Sequence, residues 1–311
     1  MDSKAVPNYY KRLPCLYLFL VQRFFFLDLK QNVTMKLKIR KFDMKTMPPD
    51  AVVLLVGKRG TGKSTLLKDI CYNVKDQLHC GIACCPTEDS VEGSDGLSSF
   101  IPGPLIHDSY KPQVVEKLLN YQKKSVKKYG KEKTKRQFII LDDCCYDKKI
   151  LKGTELRQLA MNGRHRRLFF INAIQYLCDL SPDIRTNVDI VFCLKENILS
   201  NKERLWKHFF GCFPDFTTFC QTMDALTSNF GAMVLNNRSR STKLEDQIFH
   251  YTADHKLPQF QMCHPVFWKL SKSCAIEEKE GDEESEEDSN EGGKSRKVFI
   301  KKIESLRDND E

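Results

Sequence analysis

The stretch that most restricts the fold is AVVLLVGKRGTGKST, residues 51–65. Its six leading apolar residues read as a strand buried on both faces. GKSTLLKDICYNV, which begins inside it, reads as a helix. Gly57, Gly62, Lys63 and Ser64 meet the spacing G-x-x-x-x-G-K-[ST] in the strand–loop–helix context that the spacing requires. Such a loop points successive backbone N–H groups at one spot, and the helix N-terminus adds positive potential there, so the expected ligand is a chain of phosphates. The cradle would comprise Gly57, Lys58, Arg59, Gly60, Thr61, Gly62, Lys63, Ser64 and Thr65. Lys63 would bridge the outer phosphates and the Ser64 hydroxyl would hold Mg²⁺, making ATP and Mg²⁺ the expected cofactors.

Further short apolar runs follow: CGIACC, QFIILDD, RLFFINAIQ and VDIVFCL. Helical patterns such as YKPQVVEKLLNYQKKSVKK separate them. Continuous apolar runs suit strands buried on both faces, which predicts an α/β fold of three layers with a mainly parallel central sheet. MKLKIRKF alternates like an edge strand. KERLWKHFFGCFPDFTTFCQTM reads as two short helices broken near Pro214, and FGAMVLNN and DQIFHYTA as two more strands.

Two strand ends carry polar groups. FIILDD, residues 138–143, ends in a pair of acids. Asp142 is expected to organise Mg²⁺ through its water shell, and Asp143 to orient and deprotonate an attacking water. The alternative for Asp143 is a helix N-cap. LFFINAIQ ends in Gln175, whose amide could sense a γ-phosphate or position water in the crevice at the sheet's C-terminal edge, or simply cap a loop.

Charge is segregated along the chain. Residues 275–311 hold 14 Asp/Glu against seven Lys/Arg, so the remainder of a chain of net charge +9 carries +16. A body that basic attracts polyanions, nucleic acid above all. The tail itself, rich in EEKEGDEESEED, offers almost no apolar surface to offset ordering and is expected to be disordered. Residues 1–34 form a basic and apolar extension, dispensable if translation starts at Met35. Gln22 and Arg23 interrupt its apolar patch, so stable membrane insertion is not expected. Thirteen cysteines without a CxxC pair suggest free thiols in a reducing compartment rather than a zinc site. His165 and the CHP at 263–265 belong to no nucleophile or metal constellation and read as structural. Residues 35–274 therefore form the expected ATPase domain, followed by the tail at 275–311.

Taken together, the GKRGTGKST loop, IACCPTED, FIP before LIHDSY, FIILDDC, NGRHRRLFFINAIQY, SPDIRTNVDIVF and the closing HPVFWKL resemble one family. They are similar to the DNA-packaging ATPases of nucleocytoplasmic large DNA viruses, the poxvirus-type branch of the FtsK–HerA superfamily of P-loop NTPases. The likeness is collinear from about Met35 to Leu270. It implies an additional-strand topology, with a strand inserted between the loop strand and the acidic strand. It also implies a homo-oligomeric ring, hexameric in the family, that drives double-stranded DNA into a capsid by ATP hydrolysis. Capsid or membrane proteins of the virion would be further partners. The location would be sites of virus assembly in the host cytoplasm or nucleus, or the virion. In such rings a neighbouring subunit supplies an arginine to the γ-phosphate; Arg185 in IRTN is slightly favoured over Arg164 in NGRH. One departure stands out: FtsK–HerA relatives usually carry Glu where Asp143 stands, one methylene longer.

KKSVKKYGKEKTKR, residues 123–136, is the densest basic segment and a candidate contact for DNA phosphates. Arg164–Arg167 is a second candidate. No zinc-finger or RNA-binding aromatic signature is present, which argues against sequence-specific reading. A small-molecule kinase fits poorly, because the acidic strand lies roughly eighty residues beyond Lys63 and is followed by Gln175. The remaining alternative is a nucleotide-gated DNA-binding or scaffold protein in which Asp143 never activates water.

Overall fold

The computed structural model describes residues 37–88, 96–144, 150, 153–175 and 180–274. The expected N-terminal extension, the Met35 start and the acidic tail lie outside the described residues. The chain divides into units Met1–Lys38 and Ile39–Glu311, and the sheet lies in the second.

Among the described residues nine strands form that sheet: β1 (Arg40–Lys41), β2 (Val52–Val56), β3 (Cys80–Cys84), β4 (Ile106–His107), β5 (Gln137–Asp142), β6 (Leu168–Ile174), β7 (Ile190–Cys193), β8 (Gly231–Asn236) and β9 (Ile248–Thr252). Their spatial order is β1-β9-β8-β7-β2-β6-β5-β3-β4. Only the β7–β8 and β8–β9 pairings are antiparallel. β6 therefore sits between the loop strand β2 and the acidic strand β5, as an additional strand does. The fold is the expected α/β arrangement. Every residue of β2, β5, β6 and β7 is buried, because helices cover both faces of the central strands; that double coverage is what makes their sequences continuously apolar.

The described helices are α1 (Lys63–Val74), α2 (Pro112–Tyr129), α3 (Thr154–Asn162), α4 (Pro182–Arg185), α5 (Leu199–His208), α6 (Phe216–Leu226) and α7, residues 265–274. The turn between α5 and α6 holds Pro214, and Asp215 opens α6 by accepting from the Thr218 N–H at 2.8 Å. α2 begins with Pro112 at its first position, where the missing N–H costs nothing, and ends at Gly130. None of the described helices is long and apolar enough to cross a membrane.

The edge strand expected from MKLKIRKF is much shorter than its alternation suggests. Arg40 and Lys41 pair with Phe249 and His250, and Phe42 N–H adds one bond to the His250 carbonyl at 2.8 Å. Asp43 then takes the Lys45 N–H and turns the chain into a 3₁₀ helix, which ends the strand.

After β9 the chain runs back to the β3 side. Phe260 stacks on Phe100 with centroids 5.0 Å apart, Met262 N–H donates to the Phe100 carbonyl, and His264 N–H donates to the His79 carbonyl. Trp268 Nε1 then donates to the Met262 carbonyl at 2.7 Å, seating α7.

Candidate functional site

The phosphate-type loop lies between the end of β2 and the start of α1. Gly57 N–H continues the ladder by donating to the Ile174 carbonyl at 3.0 Å, and a Cβ at Gly57 would fall 2.7 Å from Leu194 Cδ1. Gly60 and Gly62 have φ of 77° and 94°, so only glycine holds these turns without strain. Thr61 ties the loop to itself, its hydroxyl donating to the Lys58 carbonyl at 2.7 Å. α1 starts at Lys63, which puts Lys63, Ser64 and Thr65 in its first turn with Ser64 and Thr65 exposed.

Four of the residues singled out from the sequence converge here. Lys63 is buried, and its ammonium contacts the Asp143 carboxylate and lies 3.5 Å from Asp142 Oδ1. Gln175, just past β6, donates from Nε2 to Asp143 Oδ2 at 3.0 Å. Asp143 holds a left-handed corner with φ 52°, pinned by its N–H to the Ala173 carbonyl at 3.0 Å. That corner turns the second acid of FIILDD out of the sheet toward the lysine, while Asp142 remains buried as the last residue of β5. Burial raises the Asp142 carboxyl above its ordinary range; Lys63 opposes this and the neighbouring Asp143 adds to it.

The donor set fits a hard divalent cation. Asp142 Oδ1 is buried and, among the described residues, accepts no hydrogen bond, with the Lys63 ammonium 3.5 Å away; the Ser64 hydroxyl stands exposed in the first turn of the helix that carries Lys63. Oxygen donors of this kind, completed by phosphate and water, are what Mg²⁺ takes.

The two arginines stand apart from this cluster. Arg164 forms an ion pair at 2.8 Å with Asp189, a carboxylate that is only 1% exposed. Asp189 also accepts from Val52 N–H at 2.8 Å, so Arg164 sits at the entry of β2, the opposite end from the loop. Burial raises the Asp189 carboxyl, and the Val52 N–H and Arg164 hold it down. Arg185, half-buried at the end of α4, meets His208 Nδ1 at 2.5 Å.

A further acid escaped the sequence reading. Glu196, two residues past Leu194, is buried, pairs with Lys58 Nζ at 2.6 Å and accepts from Ile198 N–H and the Asn201 amide. Burial pushes its carboxyl up, but Lys58 and these donors outweigh it and hold it below the ordinary range. It fixes the first half of the loop from β7, the strand on the other side of β2. Its signal was available: an acid just past an apolar run, the pattern that marked Asp142.

The basic segments that read as alternatives touch each other. Gln122 Nε2 donates to the Lys135 carbonyl at 3.0 Å and the Arg167 carbonyl at 3.4 Å, and Arg167 pairs with Glu132 at 3.4 Å. The end of α2, the loop to β5 and the 3₁₀ turn Arg164–Arg166 thus meet at the N-terminal ends of β5 and β6. Lys123, Lys124, Lys127, Lys128, Lys131, Lys133 and Lys135 are exposed there.

No protein-family model matches the chain. Uncharacterized protein L437 of Acanthamoeba polyphaga mimivirus is 31% identical over 225 residues, covering 70% of this chain and 78% of the viral protein. The chain belongs to the L437 family. The chain is also similar to uncharacterized protein 088R of Invertebrate iridescent virus 3, 29% identical over 240 residues and covering 73% of this chain and 88% of that one. Among solved structures, the L437-type chain is similar to the genome packaging NTPase B204 of Sulfolobus turreted icosahedral virus 2 with ATPγS, at TM-score 0.45 and 19% identity over 66% of this chain and 97% of that one. It is also similar to B204, the DNA-packaging ATPase of Sulfolobus turreted icosahedral virus, at TM-score 0.47 and 18% identity over 67% of this chain and the whole of the other.

Proposed function

We propose that the protein is an ATP-driven double-stranded DNA translocase that packages a viral genome. The observation that carries this reading is the meeting of Lys63, Asp142, Asp143 and Gln175 at the tips of α1, β5 and β6. Lys63 neutralises charge on the outer phosphates, and those phosphates compete for it with Asp143. Asp143, relieved of the lysine and steered by Gln175, takes the proton of the attacking water. Ser64 and Asp142 would hold Mg²⁺, which would supply positive charge to the phosphate oxygens. An arginine from the next subunit of a ring, Arg185 or Arg164, completes the charge stabilisation; Arg164 is the costlier candidate, since Asp189 already occupies it. The exposed lysines of α2 and its following loop, with the Arg164–Arg166 turn, meet DNA phosphates without reading bases. Membership of a family with a mimivirus relative, and likeness to an iridescent-virus protein, support the viral setting.

Steady-state ATP hydrolysis by the full chain, with and without double-stranded DNA, tests this beside Asp143→Asn. Turnover stimulated by DNA and reduced about 10²- to 10⁴-fold in the variant is expected. A rate indifferent to DNA, or equal in the variant, would move the reading to a nucleotide-gated binding protein.

A further inference from the structure

β2 has β6 on one side and β7 then β8 on the other. The acids and the amide at the tips of β5 and β6 mark the γ-phosphate end of the site, so on the reading proposed above the nucleoside must leave toward β7 and β8. β8 is antiparallel to β7, which brings its first residue to the same edge as the loop. Immediately before that residue stands Phe230, 69% exposed. A Cβ placed on Gly62 would lie 3.5 Å from Phe230 Cδ1, so the ring borders the phosphate-type loop.

The backbone there is strained. Asn229 and Phe230 have φ of 50° and 58°, two successive left-handed residues, and a bulky side chain rarely adopts that region. The end of α6 enforces it: Thr227 bonds the Met223 carbonyl through both N–H and hydroxyl, Ser228 Oγ donates to the Ala225 carbonyl, and Gly231 N–H donates to the Ser228 carbonyl. Burial does not repay this strain, because the ring stays in solvent. Strain held in place beside a ligand loop is characteristic of positions that serve binding.

We propose that Phe230 is the stacking platform for the nucleobase of the bound nucleotide. This rests on the phosphate-loop reading. The ring is held open beside Gly62, on the side where the base emerges, and every base offers a face to it. Stacking of this kind tolerates different bases, so ATP and GTP gain alike, and inorganic tripolyphosphate, which has no base, gains nothing.

Equilibrium binding of ATP, GTP and tripolyphosphate to the full chain, wild type and Phe230 variants, tests it. Phe230→Ala is expected to weaken ATP and GTP about 10-fold or more and to leave tripolyphosphate unchanged; Phe230→Tyr retains the wild-type affinities. Phe230→Gly removes the ring but accepts the positive φ, so it loses nucleotide affinity with a melting temperature equal to or above wild type. Unchanged ATP affinity in the Ala and Gly variants would overturn the platform while leaving the phosphate loop intact. Equal losses for ATP and tripolyphosphate would also overturn it, and make the ring a support for the loop. Smaller oligomers with retained ATP affinity would assign Phe230 to a subunit contact instead. Wild-type protein that binds neither ATP nor tripolyphosphate would remove the phosphate-loop reading itself.

Discussion

At the scale of single residues, the reach of the short Asp143 side chain is set by its backbone. Asp143 reaches the site because its backbone takes a left-handed turn and is anchored to the Ala173 carbonyl. Its side chain is then shared between Lys63 and the Gln175 amide. A short carboxylate needs a second group to aim it, and Gln175, the residue directly after β6, is the only described amide bonded to it. On the proposed reaction, Gln175 would act through Asp143, as a positioning residue. Gln175→Ala should lower turnover about 100-fold through misplacement of the base, with ATP affinity within a factor of a few of wild type. Single-turnover rates beside equilibrium binding separate the two. A loss of ATP affinity as large as the loss of rate would mean that the glutamine holds the nucleotide rather than the acid.

At the scale of elements, the sheet was readable wherever one local rule dominated. Burial on both faces writes an apolar run, so β2, β3, β5, β6 and β7 could be read directly, and the loop could be read because glycine alone fits its φ values. What the sequence does not carry is pairing across long separations. Nothing local says that Asp43 cuts β1 short, that Glu196 holds Lys58, that residues 260–264 return to Phe100 and His79, or that the end of α6 strains Phe230. The bond between α1 and β9 is of the same kind: Asp69 accepts from the Tyr251 hydroxyl at 2.6 Å, from Asp254 N–H at 3.2 Å and from Asn73 at 3.0 Å. Burial raises the Asp69 carboxyl, and the Tyr251 hydrogen bond is the main force holding it down. Tyr251→Phe should cost about 1 to 2 kcal/mol in denaturant unfolding. The sign of its pH dependence follows. A raised folded-state value favours the fold only while the acid is protonated, and the variant raises that value further. Its deficit should therefore grow as pH rises from the ordinary carboxylate range toward neutrality. A deficit that shrinks over that range would mean that Asp69 is protonated in the native wild type.

At the scale of the whole molecule, the Lys63–Asp143 cluster and the exposed basic segment lie at opposite ends of the same strands. β5 begins at Gln137, beside the basic loop, and ends at Asp142; six residues at strand rise put the edges about 20 Å apart. β6 likewise runs from the Arg164–Arg167 turn to Gln175. The basic segment thus lies away from the phosphate loop, yet it is joined to it by two buried strands, and the two segments that read as rival DNA contacts form one surface. If that surface meets the DNA backbone, each lysine that pairs with a phosphate releases counterions, and affinity falls with salt at about 0.9 logarithmic units per contact. Replacing Lys123, Lys124, Lys127 and Lys128 together with Gln should flatten the slope of log K against log salt by up to about 3 to 4 on duplex DNA. The loss should be the same for unrelated sequences, because phosphates carry no sequence information. These side chains are exposed at the end of α2, so the melting temperature should stay close to wild type. An unchanged slope would send the DNA to another face of the protein. A loss that differs between sequences would point to contact with base edges.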